Sequence, residues 1–288
     1  MAEFTLPSAT LLAQSILSGI FTGALYGLLG LGLSLSWGLL KQINLAHFAF
    51  AFLAAYLCYQ LAALGVDPLL SLALIVPAFF ALGVALHAAM ARFSITPMNS
   101  LLLTFGLTGI VEAVIQWIWT ADFRKLESSY GEHRFKIAGL FVPLPELITL
   151  LLATLLSFGV WAVLRHTDFG KALRASAEDA PIARAFGINQ HRDALLLAGI
   201  CSALAAVAGV CLALTFTLAP SQIYAWIGVV FAAVMLGGLG GALAPLAAGV
   251  VIGVSEAVTM AVTAPSWAPL VSFTLLIAIL LLRPGRAA

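Results

Sequence analysis

The stretch ALLLAGICSALAAVAGVCLALTFT, residues 194–217, contains no charged side chain and no proline. As a helix it would be about 36 Å long, enough to cross the roughly 30 Å hydrocarbon core of a bilayer. It is one of nine apolar runs, at 10–36, 46–64, 69–90, 99–119, 146–164, 194–217, 226–240, 244–262 and 268–282. The 288 residues are 62% apolar and 9% charged, with a mean hydropathy of +1.10. Soluble domains run at about 45–50% apolar and about 25% charged. A water-soluble enzyme or nucleic-acid binder is therefore excluded. Long continuous runs, rather than alternation, also exclude a β-barrel. The expected fold is all-α: one polytopic transmembrane bundle over residues 1–288, with eight or nine spans.

Two runs are unusual. The first overshoots a bilayer, so it is tilted, broken or extended beyond the membrane. The run 226–240 is short and ends in Gly237-Gly238-Leu239-Gly240-Gly241, which predicts a kinked, re-entrant or partial crossing.

Orientation follows from Lys and Arg in the breaks between runs. Lys41, Arg92, five residues in 165–192 and two in the tail make nine of the thirteen basic residues on one side; Arg124, Lys125, Arg134 and Lys136 lie on the other. The richer side is expected to be cytoplasmic. That places 165–192 and the C-terminus inside, 120–145 outside, and the N-terminus outside if there are nine crossings. Glu3 is the sole charge before Lys41, so a cleavable signal peptide is not expected. Cys58, Cys201 and Cys211 sit in apolar runs, odd in number, and read as packing residues.

The small residues are arranged. Ser15, Gly19, Gly23 and Gly27 form one stripe, and Gly237, Gly241, Pro245, Gly249 and Gly253 another. Small residues at this interval let helix backbones approach closely in lipid. Gly238 and its neighbours suggest irregular backbone, tolerated at membrane depth only beside protein or a water-filled cavity.

Catalytic equipment is missing. Gly170-Lys171 is followed by Ala172, so there is no phosphate cradle. There is no H-E-x-x-H, the five histidines are dispersed, and no metal site, catalytic residue or cofactor is expected. Two carboxylates lie inside apolar runs: Glu112, with Gln116 one turn on, and Glu256. Each either lines a hydrophilic route or makes a structural hydrogen bond between helices. A polar knot at residues 41–47 adds Asn44, read as a cap for a helix starting at Leu45, and His47, favoured as a satisfied structural group. In 165–192, Ser176 or Asp179 can cap a short helix with Pro181 in its first turn, Gly187 stops it, and Ile182, Ala185 and Phe186 form an apolar face. Such a face fits a partner's groove or the lipid interface equally well.

Three blocks carry a resemblance to a known family: Gly23-Ala-Leu-Tyr26-Gly through Ile43-Asn44-Leu-Ala46-His47; Gly170-Lys-Ala-Leu-Arg174 through Gly187-Ile188-Asn189; and Ala206-Val-Ala-Gly209 with Val234-Met-Leu-Gly237-Gly238-Leu-Gly240 and Gly249 through Glu256. Together they resemble the LivH-type permeases of branched-chain amino acid ABC transporters, over nearly the whole chain. The resemblance implies a bacterial inner-membrane importer subunit paired with a second, LivM-like permease, two cytoplasmic ATPases and a periplasmic binding protein, with no nucleic acid involved. It implies that 165–192 couples to the ATPase through Arg174, Ala177, Glu178, Asp179, Arg184, Phe186 and Gly187. Asn44, His47, Glu112, Gln116 and Glu256 would then border the translocation path. The family usually has Gly after Ala46-His47; Phe48 here would either narrow the route or repack the following helix. Related permeases carry urea, short amides or aromatic acids, which are alternative substrates. The rival class is a stand-alone secondary transporter using Glu112 or Glu256; a third reading is a non-transporting membrane scaffold.

Overall fold

The computed structural model describes residues 8–93, 96–137, 139–263 and 267–282. The charges expected in the tail, Arg283 and Arg286, and Glu3 at the other end lie outside the described residues. Every apolar run forms a helix. They are α1 (Ala9–Leu40), α2 (Ala46–Ala63), α3 (Pro68–Arg92), α4 (Pro97–Trp119) and α5 (Leu144–His166) in the first half. Two short helices follow, α6 (Asp168–Glu178) and α7 (Ala180–Ala185), then α8 (Gln190–Thr215), α9 (Ile223–Gly237), α10 (Ala244–Val262) and α11 (Ala268–Leu282). Eight of these are long and apolar enough to cross a membrane. The ninth run gives the 15-residue α11. The all-α polytopic bundle expected from composition is the observed architecture.

The helices α1, α2 and α8 form the centre. Their interface is filled by Leu25, Leu29, Phe48, Phe52, Tyr56 and Leu212, all fully buried. The helices α3, α4 and α5 wrap this centre and leave one face outward. Helix α10 lies against α1 with their two glycine stripes face to face. A Cβ on Gly23 would sit 2.5 Å from the Gly249 carbonyl oxygen, and one on Gly19 would sit 2.7 Å from that of Gly253. Gly27 faces Leu246 and Pro245 in the same way, so the pairing is antiparallel. Gly19, Gly23 and Gly27 of one stripe and Pro245, Gly249 and Gly253 of the other are thus two sides of one contact, whereas Gly237 and Gly241 pack against Ala244 instead.

The over-long first run is a single unbroken helix. Its excess length extends to a feature the sequence did not announce, a hairpin of β1 (Arg134–Ile137) and β2 (Leu140–Pro143) within 120–145. The Gln14 amide donates to the Phe141 carbonyl and accepts from the Phe141 N–H, each at 2.9 Å. Beside it, Tyr130 donates to Asp67 at 2.7 Å, while the other Asp67 oxygen caps α3 by accepting from Leu69 N at 2.8 Å. The Tyr130 hydroxyl holds the Asp67 carboxyl below its usual range.

The Gly-rich end of α9 is irregular, as expected, and lies half-buried against α1. Gly238 and Gly240 take positive φ of 91° and 78°, a region glycine enters without steric penalty. The loop is pinned to Ser34 of α1: Gly240 N donates to the Ser34 carbonyl at 3.0 Å and to its hydroxyl at 3.1 Å. The same hydroxyl lies 3.2 Å from the Gly241 carbonyl, to which it donates.

Candidate functional site

The polar residues picked out in the apolar runs fall into separate environments. Glu256 on α10 is 6% exposed and accepts from the Tyr26 hydroxyl of α1 at 2.9 Å and from the Ser272 hydroxyl of α11. Its two oxygens are thereby occupied by three-helix packing. Tyr26 and Ser272 are the functional partners that sequence reasoning missed. Both are polar side chains in apolar runs, a signal weaker than that of a carboxylate because a hydroxyl costs less to place in a membrane.

His47 is 2% exposed, with Nε2 2.9 Å from the Leu29 carbonyl. Asn44 does not cap α2. The helix begins one residue later than expected, with Leu45 as its cap, and the Leu45 N–H donates instead to Thr104 Oγ1 of α4 at 3.1 Å. A hydroxyl brought in from another helix replaces the local amide, and Asn44 Oδ1 is left buried without a partner in the chain. Phe48, where the family usually has Gly, is fully buried and stacks 6.4 Å from Phe231 of α9. Its ring is part of the buried core.

Glu112 and Gln116 differ from all of these. They lie on the outward side of α4, where Gln116 Nε2 donates to Glu112 Oε1 at 3.1 Å. Tyr224 of α9 lies beside the same carboxylate, and its ring centroid is 6.3 Å from that of Phe105. The adjoining positions Gly106 and Ala113 are exposed, and a Cβ on Gly106 would meet nothing within 4 Å. A carboxylate, an amide and a phenol therefore share an open face with small residues. A polar face turned to hydrocarbon is costly, so this one calls for a polar neighbour.

The segment 165–192 folds as two helices, where one was expected. Thr167 caps α6 by accepting from Gly170 N at 3.2 Å, and Lys171 pairs with Asp168 at 3.0 Å. Its amphipathic pattern, Phe169 and Leu173 inward with Lys171 and Arg174 outward, was legible but hidden by the low hydrophobicity of the stretch. Arg174 donates to the Leu164 carbonyl, tying α6 to the end of α5. Of the two expected caps for the following helix, Asp179 serves, accepting from Ile182 N at 3.0 Å, and Pro181 occupies the first turn of α7. Gly187 ends α7 with φ of 85°. Arg184 Nε donates to Gln190 Oε1 at 3.1 Å, and Gln190 Nε2 donates to the Ala180 carbonyl at 2.5 Å, locking α7 onto α8. This leaves Ile182 and Phe186 projecting, 56% and 85% exposed, beside the exposed carboxylates of Glu178 and Asp179. Ala177 lies half-buried at the end of α6. The three cysteines are buried and free. Among the described residues no group of three or more His, Cys, Asp or Glu is placed to hold a metal ion.

Comparison with known proteins agrees with this architecture. The sequence model of a family described as the permease component of the branched-chain amino acid transport system matches residues 15–280. The high-affinity branched-chain amino acid transport system permease protein BraD of Pseudomonas aeruginosa is 26% identical, with 94% of each chain covered. The corresponding LivH protein of Escherichia coli is 25% identical over 94% of this chain and 93% of its own. A probable LivH of Methanocaldococcus jannaschii is 27% identical over 94% and 91%. No solved structure matches the chain. These relatives are transport permeases, not enzymes. On a match spanning nearly its whole length, the chain belongs to the LivH-type family of branched-chain amino acid transport permeases, as a multi-pass membrane protein.

Proposed function

We propose that this chain is the membrane subunit of an ATP-driven importer of branched-chain amino acids, working with a second permease of LivM type, two ATPases and an external binding protein. The observation that carries the reading is the outward polar face of Glu112, Gln116 and Tyr224. The middle of the chain is filled by large side chains from α1, α2 and α8, so a solute route through it has no room. A route between this face and a second permease satisfies both facts. Apolar walls with few polar contacts suit a leucine-like solute, with selectivity residing in the binding protein.

On this reading, α7 is the coupling element. Its exposed Phe186 and Ile182 enter a groove of the ATPase, and Glu178 and Asp179 face its rim. The chain supplies no phosphate-binding loop of its own, so hydrolysis occurs on another polypeptide. ATP-driven closure of the ATPases moves α6 and α7, and the α1–α10 pair transmits that movement. The side bearing 165–192 is the cytoplasmic side of an inner membrane.

The test is uptake of labelled leucine into proteoliposomes holding the assembled complex, with and without ATP. ATP-dependent uptake that falls at least tenfold in Glu112→Ala, with assembly intact, supports the reading. Uptake by this chain alone, driven by a proton gradient, overturns it.

A further inference from the structure

Behind the α6–α7 pair lies a cleft of about 300 Å³, at the lower end of the range for small-molecule sites. It opens where the C-terminus of α1, the side of α3, the inner face of α6 and the first turn of α8 meet. Its walls carry one cation, Lys41, and one carboxylate, Asp193. Among the described residues the one ion pair joins Lys171 to Asp168, so these two charges do not neutralise each other. Leu39 and Leu173 supply apolar wall between them.

The polar groups around this cleft are under-satisfied. His87 is 7% exposed, and its Nδ1 has no partner in the chain; Ser176 Oγ is likewise buried and unpartnered. Both line the cleft. A second cavity of about 10 Å³, room for roughly one water, adjoins it through Leu40, Gln42 and His87 and is bordered by Asn44, whose Oδ1 is the third unpartnered atom. Buried polar atoms are nearly always hydrogen-bonded, so two of them beside the cleft and a third beside the adjoining cavity mark a polar region at this end of the bundle. The wall is also fixed: Lys41 adopts a left-handed φ of 56°, with its N–H bonded back to the Ser36 carbonyl.

From this geometry we infer that the cleft binds an aliphatic α-amino acid as its zwitterion. Lys41 takes the carboxylate, Asp193 takes the ammonium, and the side chain lies against Leu39 and Leu173. The site is separate from the face of Glu112 and Gln116. An occupant would tie α6 to the ends of α1 and α8. If α6 and α7 couple to an ATPase, as proposed above, a filled cleft holds them in place, and accumulated product on that side slows its own import. That regulatory role rests on the proposed function; binding itself does not.

The test uses the full-length chain in lipid nanodiscs, following its thermal midpoint as L-leucine is titrated. Leucine is expected to raise the midpoint, and leucinol and isovalerate, each lacking one charge, are expected to leave it unchanged. Asp193→Asn and Lys41→Asn, the latter a residue that tolerates the left-handed conformation, should each weaken the apparent affinity tenfold or more. Glu112→Ala should leave it intact. A midpoint without leucine close to that of wild type confirms that both charge variants fold, and Ser176→Ala provides a further, uncharged probe with a smaller loss expected. No response in wild type overturns the inference. So does a response that survives in both charge variants, or one abolished by Glu112→Ala. Leucine binding here, combined with an assembled complex that fails to import leucine, would remove the transport reading and leave this site standing.

Discussion

Replacing Gly23 with alanine sets two opposing effects against each other. Alanine is the better helix former by about 1 kcal/mol, so in an open helix it stabilises. At Gly23 the new Cβ would lie 2.5 Å from the Gly249 carbonyl oxygen and from Val250 Cα, both backbone atoms that no rotamer change can move. To reach ordinary van der Waals separation, α1 and α10 must part by about 0.9 Å. Overpacking of this kind costs about 1–3 kcal/mol. The same retreat would carry the Tyr26–Glu256 hydrogen bond, 2.9 Å long, beyond bonding distance, and a bond between membrane helices adds about 0.6 kcal/mol. The net loss for Gly23→Ala is therefore about 0.6–2.6 kcal/mol. Gly159 on α5 provides the control, since a Cβ there meets nothing within 4 Å, and Gly159→Ala should gain up to about 1 kcal/mol. Thermal unfolding of the two purified variants in one detergent, followed by loss of the monodisperse peak, should separate their midpoints in opposite directions from wild type. Equal midpoints would refute the claim that the glycine stripes exist for backbone contact.

Asp67 and Tyr130 give a pH signature. The carboxyl is held low by its hydroxyl donor, so its contribution is fully present above an unfolded value of about 4 and is lost as pH falls through the lower folded value. The midpoint difference between wild type and Tyr130→Phe should accordingly be constant from pH 7 to 5 and shrink below about pH 4. Ser34→Ala removes the hydroxyl that grips the loop after α9 and should cost about 1–3 kcal/mol, read as faster hydrogen exchange confined to Gly238–Gly241. Phe186→Ala touches an exposed side chain and should change stability by less than about 0.5 kcal/mol, while ATP-dependent uptake and retention of the ATPases fall sharply.

The bundle was legible in the sequence because lipid imposes a long apolar run on each crossing, and all nine runs became helices within a few residues of their expected ends. The two glycine stripes were legible for a related reason: close packing in lipid depends on small side chains at a fixed interval. What stayed hidden was non-local or weakly hydrophobic. Nothing near Asn44 shows that Thr104, sixty positions away, takes over the start of α2. The hairpin at 134–143 and helix α6 are short and polar, and their signals are faint beside those of the spans. The pairing of the stripes was equally invisible, since periodicity specifies a face and leaves its partner open.

Glu112 and Glu256 show where such reading reaches its limit. By sequence they are equivalent, each a lone carboxylate in an apolar run, and each a functional candidate on the cost of placing charge in a membrane. In the fold, Glu256 is enclosed and meets hydroxyls from two other helices, so the cost is met inside the chain and its loss would register first as instability. Glu112 is met by Gln116 from its own helix and Tyr224 from α9, on a face the chain leaves open. Glu112 is half-buried on that face, so a second permease, a solute or water can reach its carboxylate. The separation of the two carboxylates by what surrounds them therefore gives Glu256 a role in holding α1, α10 and α11 together and leaves Glu112 as the residue through which transport can be tested.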